Sequence, residues 1–223
     1  MRLRYAVIGL GSFGRAVAVK LAEEGAEVLA IDKNEERVEE IKDLVATAVV
    51  VDATEEKALR ALELDQMDGV VVAIGKTFED LILATVHLLN INVKRLIARA
   101  FNQTQRMILE KLGVHEIVSP EEDAGKALAE KLLHPTFKAY IPLPGGYEIV
   151  EIEAPPGIVG RYVKDINFIG KYNITPITVK RKNEKGEYIV VGCLSPNFKF
   201  QEGDLLIIMG HKDDIQRFLE IME

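Results

Sequence analysis

The sequence predicts an α/β protein: a Rossmann-like doubly wound parallel sheet followed by a small α+β domain. Three observations carry this. Short Val- and Ile-rich runs alternate with helix-spaced stretches as far as residue 134. The first of those runs leads directly into a G-x-G-x-x-G turn. Beyond residue 134 the rhythm breaks into prolines, glycines and hairpin-like segments. Strands alternating with helices form parallel sheets because each crossover helix must pack back on the sheet face.

The elements follow in order. The runs at 5–8, 28–31, 48–51, 70–73, 96–98 and 116–118 lack polar alternation, which suits strands buried on both faces. "AVIGLGSFGRAVAVKLAEEGAEVLAID" supplies the first strand, the turn, a helix and the second strand. Asn34 caps the helix in "EERVEEIKDL", whose Val38, Ile41 and Leu44 share one face. Thr54 caps "EEKALRAL", and Thr77 caps "FEDLILATVHLL" with Asp80 at its third helical position. Ser119 caps a further helix through Leu133, with Pro120 at the first position and Glu122 closing a capping box. "HPTFKAYIPLPGGYEIVEIEAPPG" then reads as a hinge followed by edge-type strands. This divides the chain into a nucleotide-binding domain at 1–134, a linker at 135–144 and a small domain at 145–223. Within the latter, strands are expected at 175–180, 188–191 and 205–209, a hairpin turn at 183–187, and an amphipathic helix in "HKDDIQRFLEIM".

Composition excludes several function classes. The net charge of -7, with 35 acidic against 28 basic residues, leaves no basic face for general nucleic-acid binding. Cys193 is the sole cysteine, so there is no intramolecular disulfide or cysteine zinc site, and a reducing cytoplasmic setting is expected. The longest apolar runs fall short of the ~20 residues that a spanning helix needs.

The candidate site begins at Gly9-Leu10-Gly11-Ser12-Phe13-Gly14. Gly9 permits the tight turn, Gly11 lets the backbone approach a phosphate, and Gly14 lets the helix pack on the sheet. Free amides and the helix dipole then attract the anion. Asp32, with Lys33 beside it, ends the second strand, where a carboxylate accepts hydrogen bonds from ribose hydroxyls and repels a 2′-phosphate; NADP is thereby disfavoured. Asp52, Ala53 and Thr54 follow the third strand, and Ala73, Ile74 and Gly75 follow the fourth. In an open α/β sheet both loops lie around the ligand. For Asp52, a turn-forming role is an equal alternative. Arg99, just past the fifth strand, points its fork toward the same crevice, as a phosphate contact or as half of a surface ion pair.

Chemistry on the bound nucleotide finds few candidates. His87, His115, His134 and His211 are scattered over a helix interior, a strand start, the hinge and the last helix. No zinc-protease, nucleophile-elbow or Walker pattern occurs. Sensing is therefore favoured over turnover, with an NAD-dependent oxidoreductase of unknown substrate as the alternative.

"GLGSFG", Asp32, "VDAT", "AIGKTFED", "ARAFN", "SPEEDAG" and "EGDLLIIMGHKDDIQRF" together resemble the regulator-of-potassium-conductance (RCK) family. The resemblance is to the cytosolic gating subunits of Ktr and Trk potassium-uptake systems, which join a TrkA-N to a TrkA-C domain. It implies a homodimer assembling into an octameric ring beneath a membrane-embedded, potassium-translocating subunit, on the inner face of the membrane. It also implies that ATP, ADP or NAD(H) is bound by Gly9, Gly11, Ser12, Phe13, Asp32, Asp52, Ala53, Thr54, Ala73, Ile74 and Arg99. Glu121 matches a position where a divalent or sodium ion sits at the subunit interface. The helix from Ser119 to Leu133 matches a helix that swaps against a partner subunit. Two departures stand out: Ser12 replaces an Arg that reaches a neighbour's γ-phosphate, with Arg15 the nearest substitute, and Ile169 replaces an Arg used for cyclic di-AMP.

Overall fold

The computed structural model describes residues 2–75 and 77–223; Lys76, within the "AIGKTFED" stretch, lies outside them. The chain divides into two compact units, residues 1–124 and 125–223.

The first unit alternates strand and helix: β1 (Arg4–Ile8), α1 (Ser12–Glu23), β2 (Glu27–Asp32), α2 (Glu35–Ile41), β3 (Thr47–Val50), α3 (Glu56–Arg60), β4 (Gly69–Val72), α4 (Phe78–Ile91), β5 (Leu96–Arg99), α5 (Gln103–Leu112) and β6 (Glu116–Val118). All six strands run parallel in the order β3-β2-β1-β4-β5-β6. Each face of the sheet has its own core. Ala6, Ile8, Ile31, Val70 and Val72 pack with Leu81, Leu88 and Leu109 on one side. Val7, Val28, Ala30 and Val71 pack with Ala18, Val38 and Ile41 on the other. The period-2 alternation of β1 between these two cores accounts for its unbroken apolar run. The order reverses between β1 and β4, so a crevice opens there at the carboxyl ends of the strands.

Local signals are partly revised. Asn34 does cap α2, accepting from the Arg37 N–H at 3.2 Å. That helix stops at Ile41, however, and Leu44 is exposed rather than on its buried face. Thr54 caps nothing, because its hydroxyl donates to Asp52 at 2.8 Å. Thr77 occupies the N-cap position of α4 without a side-chain capping bond.

Helix α6 (Pro120–Leu133) carries the division between units after Ala124, and none of its residues is buried. In the second unit β7 (Phe137–Pro142), β8 (Tyr147–Glu153), β9 (Ile174–Lys182), β10 (Tyr188–Val190) and β11 (Leu205–His211) form an antiparallel sheet in the order β10-β9-β11-β8-β7. Two short helices precede β9, α7 (Val163–Ile166) and α8 (Phe168–Tyr172), and α9 (Lys212–Met222) closes the chain. The segment expected as a hinge at 135–144 is largely β7. As an edge strand, β7 leaves its outer backbone groups unpaired, which tolerates the prolines that suggested a linker. The expected hairpin turn is present, with the Asn183 N–H donating to Glu187 O at 2.9 Å. Ile215, Phe218 and Met222 of α9 close the core against Tyr172, Phe200 and Leu206.

Glu148 is buried within β8. Burial raises its carboxyl pKa; Glu130 pushes the same way, while His134, Lys212 and His211 partly oppose. A carboxyl with a higher pKa folded than unfolded binds more protons in the native state, so stability falls as pH climbs from the unfolded value through the folded one. Glu148→Gln, which does not titrate, is therefore expected to gain stability over wild type progressively through that window and to match it below. Urea melts across a pH series check this.

Candidate functional site: a nucleotide cleft on the parallel sheet

A cleft of about 440 Å³ lies at the carboxyl ends of β1 to β5, within the 300–1,000 Å³ typical of small-molecule sites. Ile8, Gly9, Gly11 and Ser12 enter it from the β1–α1 turn, and Asp32, Lys33 and Arg37 from the end of β2 and α2. The loop after β3 adds Val51, Asp52, Ala53 and Thr54. Ala73, Ile74, Gly75, Thr77 and Asp80 follow β4; Arg99 ends β5, where the sequence had placed it just past the strand, and Phe101 follows.

The glycine turn is built by backbone constraint. Gly9 has a φ of +92°, and a Cβ on it would lie 2.9 Å from the backbone of Ala73 and Ile74. A Cβ on Gly14 would lie 1.8 Å from Gly9 O, so Gly14 sits beneath the turn and not in the cleft wall. Gly11 differs: a Cβ there would meet nothing within 4 Å, which leaves open space where a ligand approaches. Gly11 is also the N-cap of α1, without a side-chain cap, and no acidic residue stands in the first turn. The first amides of α1 thus lack helical partners and face an uncancelled dipole.

Asp32 is 6% exposed and already heavily used. Its Oδ2 accepts from the Leu10 N–H at 2.7 Å and from Arg37 Nη1 at 3.2 Å, and its Oδ1 from the Asn34 N–H at 2.9 Å. It therefore braces the glycine turn against the end of β2, and about one of its roughly four acceptor positions is left for a ribose hydroxyl. Arg37 had no motif to announce it. The detectable signal was the Asn34 cap, which starts α2 so that its first turn carries Arg37 back to the strand end.

Lys33 Nζ meets Asp80 Oδ2 at 2.9 Å. The Lys33 ammonium, then the Thr77 hydroxyl, hold the Asp80 carboxyl below its ordinary range, and Asp80 raises Lys33 in turn. Asp52 accepts both the N–H and the hydroxyl of Thr54, at 3.0 and 2.8 Å, and these bonds lower its pKa. The turn-forming alternative for Asp52 and its place in the cleft wall both hold.

Arg99 is 8% exposed at the end of β5. Its guanidinium carbon lies 4.1 Å from the Phe101 ring centroid and 5.4 Å from that of Phe13, which does not itself line the cleft. A Cβ on Gly75 would lie 2.9 Å from Phe101, so the glycine makes room for that ring. Arg99 Nη2 donates to Glu121 Oε1, while the buried Nε has no partner among the described residues. Burial lowers the Arg99 pKa. Such a desolvated cation with an idle donor on a cleft wall fits an anionic ligand.

Glu121 fits a metal ion poorly in the single chain. Its carboxylate is taken by Arg99, and no group of three metal-ligating side chains gathers among the described residues. Three histidines do structural work: His87 Nε2 lies 3.0 Å from Thr54 O, His115 Nδ1 accepts from the Leu96 N–H, and His211 caps α9.

Comparisons with known proteins agree with this architecture. Residues 5–120 match the TrkA-N domain and residues 147–223 the TrkA-C domain. The Ktr system potassium uptake protein C of Bacillus subtilis (strain 168) is 35% identical over 98% of this chain and 96% of its own length. Protein A of the same system and organism is 36% identical over 96% and 95%. The crystal structure of GsuK bound to ADP superposes with a TM-score of 0.51 at 27% identity, over 60% of this chain and 34% of that longer one. No helix among the described residues is long and apolar enough to cross a membrane.

Proposed function

The chain belongs to the RCK family in its TrkA-N plus TrkA-C form, and from that premise we propose that it is a nucleotide-sensing regulatory subunit of a membrane potassium-uptake system. The nucleotide is an adenine nucleotide, ATP, ADP or NAD(H), held by residues 9–14, Asp32, Lys33, the 52–54 and 73–75 loops and Arg99. The observation that carries this is the pairing of uncapped α1 amides with the buried, half-bonded Arg99 guanidinium on one cleft. The potassium-uptake role rests on full-length likeness to the two Ktr proteins.

In this reading the chain works as a homodimer in a ring, an octamer by family pattern, on the cytoplasmic face of the membrane subunit. It performs no catalysis, and the structural engagement of three of the histidines supports that. Ser12 offers a neutral hydroxyl where a family Arg would offer charge, so discrimination between ATP and ADP falls to other groups. A divalent or sodium ion at Glu121 would need ligands from a second subunit and release of Arg99.

Differential scanning fluorimetry tests the site. ADP, ATP or NADH at 100 times its Kd stabilises a binding-competent fold by ~2.7 kcal/mol and raises Tm accordingly. Asp32→Ala frees the Leu10 and Asn34 amides and removes the ribose acceptor, so its Tm is expected to be indifferent to all three. An undiminished shift in that variant, or no shift in wild type, overturns the assignment.

A further inference from the structure

We propose that the Arg99–Glu121 ion pair is a latch that a nucleotide phosphate opens, with Arg99 exchanging the Glu121 carboxylate for a phosphate oxygen and so untying the first turn of α6. The inference rests on the nucleotide reading above and adds how occupancy of the cleft leaves it.

The two partners are unequal. Arg99 is fixed in the cleft wall, 8% exposed, with its guanidinium carbon 4.1 Å from the Phe101 ring centroid. Glu121 is half-exposed, on a helix with no buried residue. The side chain free to leave is therefore Glu121. Arg99 cannot follow it into water and must keep an anion, because a desolvated guanidinium without one is costly. A phosphate on the glycine turn, drawn by the α1 amides, offers Arg99 a bidentate acceptor and engages the idle Nε. Neighbouring ties spare Glu121: Arg106 Nη2 donates to Ser119 Oγ at 3.2 Å, and the Asp123 N–H to Ser119 O at 3.0 Å. Those bonds hold residue 119 at the helix entry whichever anion Arg99 binds. Helix α6 continues past Ala124 into the second unit, so loosening its first turn reaches chain outside the nucleotide domain.

Linkage fixes the signs. If Glu121 competes with phosphate for Arg99, removing its charge must tighten phosphate-bearing ligands and leave phosphate-free ones alone. Isothermal titration of wild type, Glu121→Gln, Arg99→Gln and the double variant with ADP and with adenosine provides the test. ADP is expected to bind Glu121→Gln ~5-fold more tightly, the low end of typical site-to-site coupling, with adenosine unchanged. In the Arg99→Gln background the Glu121 change should add nothing, since the two groups act as a pair. Hydrogen exchange at amides 124 and 125 should speed up on adding ADP to wild type, and be fast throughout in Glu121→Gln, while amide 123, bonded to Ser119 O, stays as it was. Equal or weaker ADP binding by Glu121→Gln, with ADP still binding wild type, overturns the latch alone. Failure of both proteins to bind ADP and adenosine overturns the nucleotide site beneath it.

Discussion

Gly14→Ala should cost about 3 kcal/mol or more and abolish nucleotide binding, the largest effect expected of any single methyl in this chain. The added Cβ would fall 1.8 Å from Gly9 O and 3.0 Å from the Ala73 Cβ, so the turn or α1 must shift as backbone. Gly9 has little room to yield: its φ is +92°, and even a Cβ on it would lie 2.9 Å from the backbone of Ala73 and Ile74. Gly11→Ala separates folding from binding. Its Cβ meets no atom of the described residues within 4 Å, so stability should stay within ~1 kcal/mol of wild type while the ADP-induced Tm rise is lost. Urea unfolding and fluorimetry on the two variants read both quantities. A Gly11→Ala protein that binds ADP as wild type does would mean that no phosphate approaches this turn.

Arg181→Ala should destabilise the second unit by about 3–5 kcal/mol, the usual cost of leaving a buried charge alone. Asp204 is 1% exposed and takes both prongs of the Arg181 fork, Nε and Nη2 each at 2.7 Å. Its remaining bond is from the Gln201 N–H at 2.8 Å, too little for an ionised carboxylate away from water. Arg181 is also held by Lys199 O and lies over the Phe198 ring, so the pair is fixed before Asp204 needs it. Asp204 raises the Arg181 pKa, which keeps the cation charged throughout the stable range of the fold. Denaturant midpoints at unchanged slope measure the loss. Replacing both residues together with apolar side chains should recover most of it, since the cost lies in the unpaired ion rather than in the missing bridge. A single variant as stable as wild type would show that water reaches Asp204.

Much of the first unit was legible because its cues are local. An apolar run without alternation, a glycine turn and an Asn cap each encode one element within a few residues. The boundaries that moved did so where two local options competed. Thr54 could cap α3 or bond Asp52, and the shorter loop to Asp52 won. The prolines of 135–144 could mark a linker or an edge strand, and pairing with β8 decided it. The lining of the cleft was legible to the same degree. Of the expected cofactor-binding residues, all but Phe13 and Gly14 line the cleft; Phe13 lies beside Arg99, and Gly14 packs against Gly9 O. Arg37, Thr77, Asp80 and Phe101 were not expected there.

By itself, then, the sequence determined the strand–helix rhythm, the glycine turn and the carboxylate at the end of β2, because backbone conformation and short-range hydrogen bonds specify them. The tertiary structure alone decided which charges meet. Lys33 finds Asp80, Arg99 finds Glu121, and Arg181 finds Asp204, across 47, 22 and 23 residues. Those pairs exist because the strand orders of the two sheets place distant strand ends and loops side by side, and no pattern along a single chain states which ends will be neighbours.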